Sequence, residues 1–590
     1  MNVERKNDVF EIGLAMAGAI SGGAYAAGVI DFLFQALSEW EKAKAERPDD
    51  PDIPRHDVRL RVLSGASAGG MTAAVLAASL PGGFTPVTGL DQGAPAPANN
   101  KLYQCWVERI DIRHLLTDTD LKKNTSLKSI LDSTVLDSIA AYGFGAGGTI
   151  SGAAWPRYVS DPLDIYLTVA NLRGVPYTVR FQGAAQKGHE CVRHQDHVRF
   201  VLGDAPPAVP LGDGFFLRAG DRSGLNWGIF SDAALATGAF PVGLAPRALF
   251  KPKSFYDKKW DIPGCAEPLG EDARQVTFRS RIVPPDWTSG GCPDSGEDLD
   301  FLAVDGGLMN NEPFELARKA LAGSDPCNPR GLGDVSRAVI MIDPFPAPGW
   351  CGKGKDQDLD KGDVLTFAGL MFGALTAQAR FKPEEIALAL DEDVYSRFLI
   401  SPSKGNDPWP GSTMAAESLG GFGGFLSRKF RQFDFQLGRR NCQKFLKDHF
   451  VLPLEGKTGV TDEDGNTFMT ENLELVRSNS VFRNSVNFDT FSYKDSEKHP
   501  VLPIIPLCGE AFPPVHLIPR GNIRMTEDEL QELRQPIIRR LTAVAGALSG
   551  RMIKSGLFRW VVSVAVWFKK QDMADSILDA IRTDLKKKNL

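Results

Sequence analysis

Residues 60–80, LRVLSGASAGGMTAAVLAASL, constrain this chain more than any other stretch, because there an apolar run passes into a helix of small residues through a turn built on two glycines and a serine. Leu60, Val62 and Leu63 read as the end of a buried strand, and Gly70, Ala73, Ala74, Ala77 and Ala78 as a helix slim enough to lie against a sheet. Between them, Gly65-Ala66-Ser67-Ala68-Gly69 is G-x-S-x-G in the strand-to-helix context where that pattern sets a nucleophilic serine on a sharp bend. The demand is steric. The serine takes a strained backbone conformation, and its neighbours must be small for strand and helix to approach. The positive end of the helix then points at the hydroxyl.

The same passage from strand to helix occurs near the N-terminus. FEIGLAMA (10–17) reads as a first buried strand, and GAISGG (18–23) as a glycine-bearing turn. In the helix that follows, Tyr25, Val29, Phe32, Leu33, Ala36, Leu37 and Trp40 recur at three- and four-residue steps on one face, with the charges of EWEKAKAE in water near its end. Three more apolar runs, DIYLTVANL (164–172), LDFLAVDGG (299–307) and RAVIMIDPFP (337–346), read as buried parallel strands. Strands alternating with helices imply an α/β layered fold. Gly/Pro-rich stretches at 81–100, 143–156, 282–298, 346–363 and 401–424 read as loops, any of which can cover a site. Beyond about residue 425 helical patterns dominate, with a capping box at Thr526 and Glu529 and a break at Pro536.

A serine hydroxyl needs a base before it attacks anything. The chain has 8 histidines, none in a turn like that of Ser67. An acid is better placed: Asp305 ends the strand FLAV and opens DGGLMNNEPFELA, where Gly306 and Gly307 permit a tight turn and Asn311 suits the cap of the next helix. A strand end also puts Asp305 on the sheet edge that carries Ser67. Taken alone, Asp305 is better read as a carboxylate capping a turn, and only its pairing with Ser67 reverses that. A Ser/His/Asp arrangement using His449, His499 or His516 is the weaker alternative.

Taken in order, the Gly-rich first turn running into GAYAAGVIDFL, then GASAG, SDAALATGAFPV (231–242) and DGG after an apolar strand resemble the patatin-like acyl hydrolases over about residues 10–345. FDFQLGRRNCQKFL (433–446) is similar to a bacterial patatin-related subgroup with a long C-terminal extension. The resemblance implies a three-layer α/β/α sandwich around a mainly parallel sheet, a catalytic unit at 8–345 and a mostly helical region at 346–590 packed on it. It implies Ser67 as nucleophile and Asp305 as the base that activates it directly, acting on fatty acyl esters of phospholipids or related lipids with no metal and no organic cofactor. Backbone N–H groups of the first turn, drawn from Gly18, Ala19, Ile20, Gly22 and Gly23, would hold the oxyanion. Here the chain departs from the family's G-G-G-x-R/K-G. Ala19 and Ile20 resist positive φ, so the expectation is a shifted loop and a slower enzyme; a catalytically silent lipid- or protein-binding scaffold is the alternative.

Composition excludes more than it suggests. Hydrophobic residues at 43%, charged residues at 24% and a net charge of -6 describe an ordinary globular chain with no general attraction for nucleic acid phosphates. The 8 cysteines are scattered without a C-x-x-C pair, which fits a reducing cytoplasm rather than a disulfide scaffold or zinc ribbon. HECVRHQDH (189–197) matches no standard zinc spacing, and its alternation reads as an exposed strand. Glu4, Asp8 and Glu11 argue against a secretory signal, and no run reaches 18 uninterrupted apolar residues. GLFRWVVSVAVWFKK (556–570), which ends in Lys569 and Lys570 and is followed by the lysines at 586–588, reads first as a buried helix and second as a peripheral membrane anchor. Lipid head group and oligomeric state leave no trace in the sequence.

Overall fold

The computed structural model describes residues 9–122, 126–145, 155–179, 188–262, 266–269, 272–278, 281–288, 296–323, 328–346, 394–405, 413–461, 467–552 and 556–590. Its centre is a nine-stranded mixed sheet. The strands are β1 (Val9–Met16), β2 (Asp57–Gly65), β3 (Val159–Val179), β4 (His189–Gly203), β5 (Gly214–Arg218), β6 (Arg247–Pro252), β7 (Asp298–Asp305), β8 (Arg337–Ile342) and β9 (Arg397–Ile400). They run in the order β9-β8-β1-β2-β3-β7-β6, with β4 paired to β3 and β5 to β4. The five strands from β9 to β3 are mutually parallel.

The residues of β1 show why helices cover both faces. Phe10, Ile12, Leu14 and Met16 enter the main core, while Ala15 and Ala17 join a smaller cluster with Val62, Phe314, Ala317, Leu321, Val339 and Met341. Alternation of large and small side chains lets one helix lie close on the second face. The main face carries α1 (Gly23–Glu46), α2 (Ser67–Ser79) and α3 (Leu225–Thr237), and the other carries α4 (Phe314–Ala322). This is an α/β/α sandwich, as expected.

One expectation is corrected, and one helix is buried further than its one-face pattern required. β7 is antiparallel to both its neighbours, β3 and β6, rather than part of the parallel set. The helix α1 shows no watery face until its last turns: every residue from Gly23 to Leu37 is buried. The cause is α5 (Arg428–Asp448), which lies across the side of α1 turned away from the sheet. The two helices cross at glycines. A Cβ on Gly28 would stand 1.9 Å from the Phe435 carbonyl oxygen, and one on Gly438 2.2 Å from that of Tyr25. Arg439 of α5 reaches into α1, pairing with the buried Asp31 carboxylate and donating to Gln35 Oε1. By length and composition the segment Ile20–Glu46 suffices to cross a bilayer, yet 94% of its apolar window is buried, so it is a core helix here.

After α5 come α6 (Glu527–Gln531), α7 (Arg534–Met552) and α8 (Gly556–Lys588), with two small ladders at 451–453/501–503 and 457–461/467–471. The Thr526–Glu529 capping box is present at the start of α6. The helix breaks between Gln531 and Arg534, and Pro536 sits in the first turn of α7, where a missing N–H costs nothing. The segment HECVRHQDH lies on β4, exposed at its start. The side chains of the candidate anchor at 556–569 lie outside the described residues, as do most of the loops expected at 143–156 and 346–363 and part of that at 282–298.

Candidate active site

Ser67 opens α2 with φ +52°, in the left-handed region a serine rarely enters, directly after the extended Ala66. Such a residue costs on the order of 1–3 kcal/mol and persists only where its surroundings over-determine it. They do so here. A Cβ on Gly65 would stand 2.6 Å from the Gly69 backbone, and one on Gly69 2.3 Å from the Met16 carbonyl oxygen, so strand and helix meet backbone to backbone. The Ser67 N–H donates to Thr237 Oγ1 at 3.0 Å, and the Ala66 N–H to Met16 O at 3.1 Å.

Asp305 arrives from the opposite direction. In the β3 ladder Gly65 lies opposite Leu167 and Asp305 opposite Val169, while β4 occupies the other edge of β3 throughout 163–170. The strands β2 and β7 therefore abut on one edge of β3, their carboxyl ends meeting two residues apart. The Ser67 hydroxyl donates to Asp305 Oδ2 at 2.6 Å, and the Gly307 N–H to Oδ1 at 2.8 Å. Burial pushes the Asp305 carboxyl up to about 6, against the opposing pull of these two hydrogen bonds. A buried carboxylate near neutrality is a competent proton acceptor for a serine. Gly306 serves close approach rather than an unusual φ: a Cβ there would stand 2.2 Å from Thr168 Oγ1. Of the late histidines, His499 pairs with Asp495 on the surface and His449 ends α5.

The first turn lies against Ser67. A Cβ on Gly18 would stand 3.0 Å from Ser67 Cβ and 2.4 Å from Asn311 Oδ1. Asn311 thus borders the site rather than capping α4, whose N-terminus has no side-chain cap. The expected reluctance of the turn to take positive φ holds for Ala19, at φ -150°, and fails for Ile20, at φ +47°. The Gly22 N–H is engaged by the Ala19 carbonyl at 2.6 Å, and Gly23 begins α1. Among the described residues, the amides of Ala19 and Ile20 have no backbone carbonyl as partner.

Ser67 borders an apolar cavity of about 40 Å³, lined among others by Ile20, Met71, Trp106, Leu136, Phe240 and Phe422. A second, of about 30 Å³, shares the walls Met71, Trp106, Ile110 and Leu136 with it and reaches Ile139, Ala140 and Phe144. Sequence reasoning missed Thr237, Trp106, Phe422 and Phe425. The only signals were that Thr237 falls inside the 231–242 block and that Phe422 sits in a stretch, 401–424, read as a covering loop.

No family model matches the chain. It is 38% identical over 577 residues to the "Uncharacterized protein y4iI" of Sinorhizobium fredii (strain NBRC 101917 / NGR234), across 91% of this chain and 76% of that protein. Among solved structures it is similar to the crystal structure of VipD from Legionella pneumophila, at 12% identity and a TM-score of 0.25, over 99% of this chain and 88% of that one. That likeness is too distant to support an inference.

Proposed function

The chain belongs to the family of the uncharacterized Sinorhizobium fredii protein y4iI, and from the geometry of its own site we propose that it is a serine acyl hydrolase of the patatin-like type, with fatty acyl esters of phospholipids or related lipids as substrates. One observation carries the reading: the Ser67 hydroxyl, on a strained turn at the mouth of an apolar cavity, donates at 2.6 Å to the buried carboxylate of Asp305.

The chemistry follows from that hydrogen bond. Ser67 Oγ attacks the ester carbonyl carbon as its proton passes to Asp305 Oδ2. The oxyanion is met by the amides of Ala19 and Ile20 and by the positive N-terminal end of α2, groups already oriented before charge develops. Collapse breaks the ester bond, and Asp305 returns the proton to the departing alcohol oxygen. Water then enters and attacks the acyl carbon as it gives a proton to Asp305; collapse breaks the bond from the acyl carbon to Ser67 Oγ, Asp305 returns that proton to Oγ, and the fatty acid leaves. Apolar side chains around the cavity suit an acyl chain and no charged group.

The test is covalent. A lipid-like fluorophosphonate should label the wild-type chain, losing fluoride as Ser67 Oγ bonds to phosphorus, and leave Ser67→Ala unlabelled; the variant keeps its fold because only Oγ is lost from a site whose backbone is held by glycines and Thr237. Equal labelling of both proteins would remove the proposal.

A further inference from the structure

We propose that Ser21 is a positioning residue whose hydroxyl, tied to a turn of the C-terminal region, keeps Ile20 in the left-handed conformation that presents the oxyanion amides; this rests on the reading of Ser67 and Asp305 above. Ile20 is β-branched, the side chain that tolerates positive φ least. The turn's own bond, from Gly22 N–H to Ala19 O at 2.6 Å, closes around Ile20 and Ser21, and a second restraint acts from outside it.

The restraint comes from 400 residues away. Ser21 Oγ donates to the Gly421 carbonyl and accepts from the Gly424 N–H at 3.0 Å, in a fully buried position. Gly421 packs on Ile20 itself: a Cβ there would stand 3.2 Å from Ile20 Cδ1. The turn supplying these contacts is rigidly built, with Leu419, Gly420 and Gly421 all at positive φ. It is anchored on three sides. Asp434 of α5 accepts from the N–H groups of Ala415 and Ala416, Arg431 donates to the carbonyls of Gly424 and Phe425, and Asp584 of α8 accepts from the Leu419 N–H. The same turn places Phe422 and Phe425 in the wall of the cavity at Ser67. The C-terminal region therefore completes the site twice, once as wall and once as clamp on the oxyanion turn.

A clamp on an oxyanion turn acts on the transition state, not on substrate binding. With a short-chain aryl ester, Ser21→Ala should lower kcat on the order of 100-fold, as for a lost oxyanion donor, with KM within about 3-fold. Adding Ile20→Gly should restore at least about a tenth of the lost rate, because glycine takes positive φ without help. A merely structural role for Ser21 gives no such rescue. Ser21→Cys keeps the volume and weakens both bonds, and serves if the alanine variant melts early; its kcat should also fall and be rescued by Ile20→Gly. Wild-type kcat in either variant, or a loss that Ile20→Gly leaves untouched in a protein of unchanged melting temperature, overturns the inference alone. Ester hydrolysis that survives Ser67→Ala overturns it together with the proposed function.

Discussion

Ser67 and Asp305, 238 residues apart in the chain, share a 2.6 Å hydrogen bond because the strands that carry them end two residues apart along one edge of β3. The relationship is unusual for a layered α/β sheet, where catalytic groups collect at the carboxyl ends of parallel strands. Here β3 is 21 residues long and overhangs β2, so an antiparallel β7 fits onto the overhang and delivers its last residue to the elbow.

In the mechanism proposed above, the carboxylate of Asp305 must be ionised to accept the serine proton. Because burial raises it to about 6, kcat/KM should climb with pH through an apparent value near 6 and then level off. A pH–rate profile with a soluble ester checks this. A midpoint near 4, or a profile that needs a second group near 7, would point to a different base.

Asp305→Asn separates catalysis from stability. The amide keeps an acceptor for the Gly307 N–H and offers a donor to Ser67, so the fold survives while kcat drops on the order of 1000-fold. Native Asp305 binds its proton more tightly than the unfolded chain does, so its contribution to stability declines as pH rises from about 4 through 6, by at most about 3 kcal/mol. The variant lacks that decline. Denaturant melts at pH 5 and pH 8 should therefore show Asp305→Asn gaining on wild type at the higher pH.

Thr237→Val removes the acceptor for the Ser67 N–H while keeping the side-chain volume. An unmet buried N–H costs about 1–3 kcal/mol, and the strained φ of Ser67 relaxes with it. Loss of kcat larger than the loss of melting stability predicts, measured at a temperature where the variant is fully folded, is the expected result.

Arg439→Met tests the attachment of the C-terminal region. It leaves Asp31 buried with only the Val87 N–H and the Asn100 amide as partners, and an uncompensated buried charge costs about 3–5 kcal/mol. Urea unfolding should shift by that amount, and limited proteolysis should cleave near α5 first. Removing both charges, as Arg439→Met with Asp31→Leu, should recover part of the loss.

Chain-length preference should respond to Ala140, which lines the far cavity and not the one at Ser67. Ala140→Phe fills space there at a cost of about 1–3 kcal/mol in stability. Activity on short acyl esters should stand and activity on long ones fall. An equal effect across an ester series would show that the acyl chain runs elsewhere.

What the sequence by itself determined is local: where a strand must stop, which turn needs glycine, and which serine and which aspartate end apolar strands. These are legible because sterics within a few residues dictate them, as at Gly65-Ala66-Ser67-Ala68-Gly69 and at Asp305-Gly306. The direction of β7, the burial of α1 on all sides, the left-handed Ile20 and the contributions of Thr237, Ser21, Phe422 and Arg439 were decided by tertiary structure alone. Each depends on a partner between about 130 and 410 residues distant, and no periodicity along one segment encodes which surface another segment will cover.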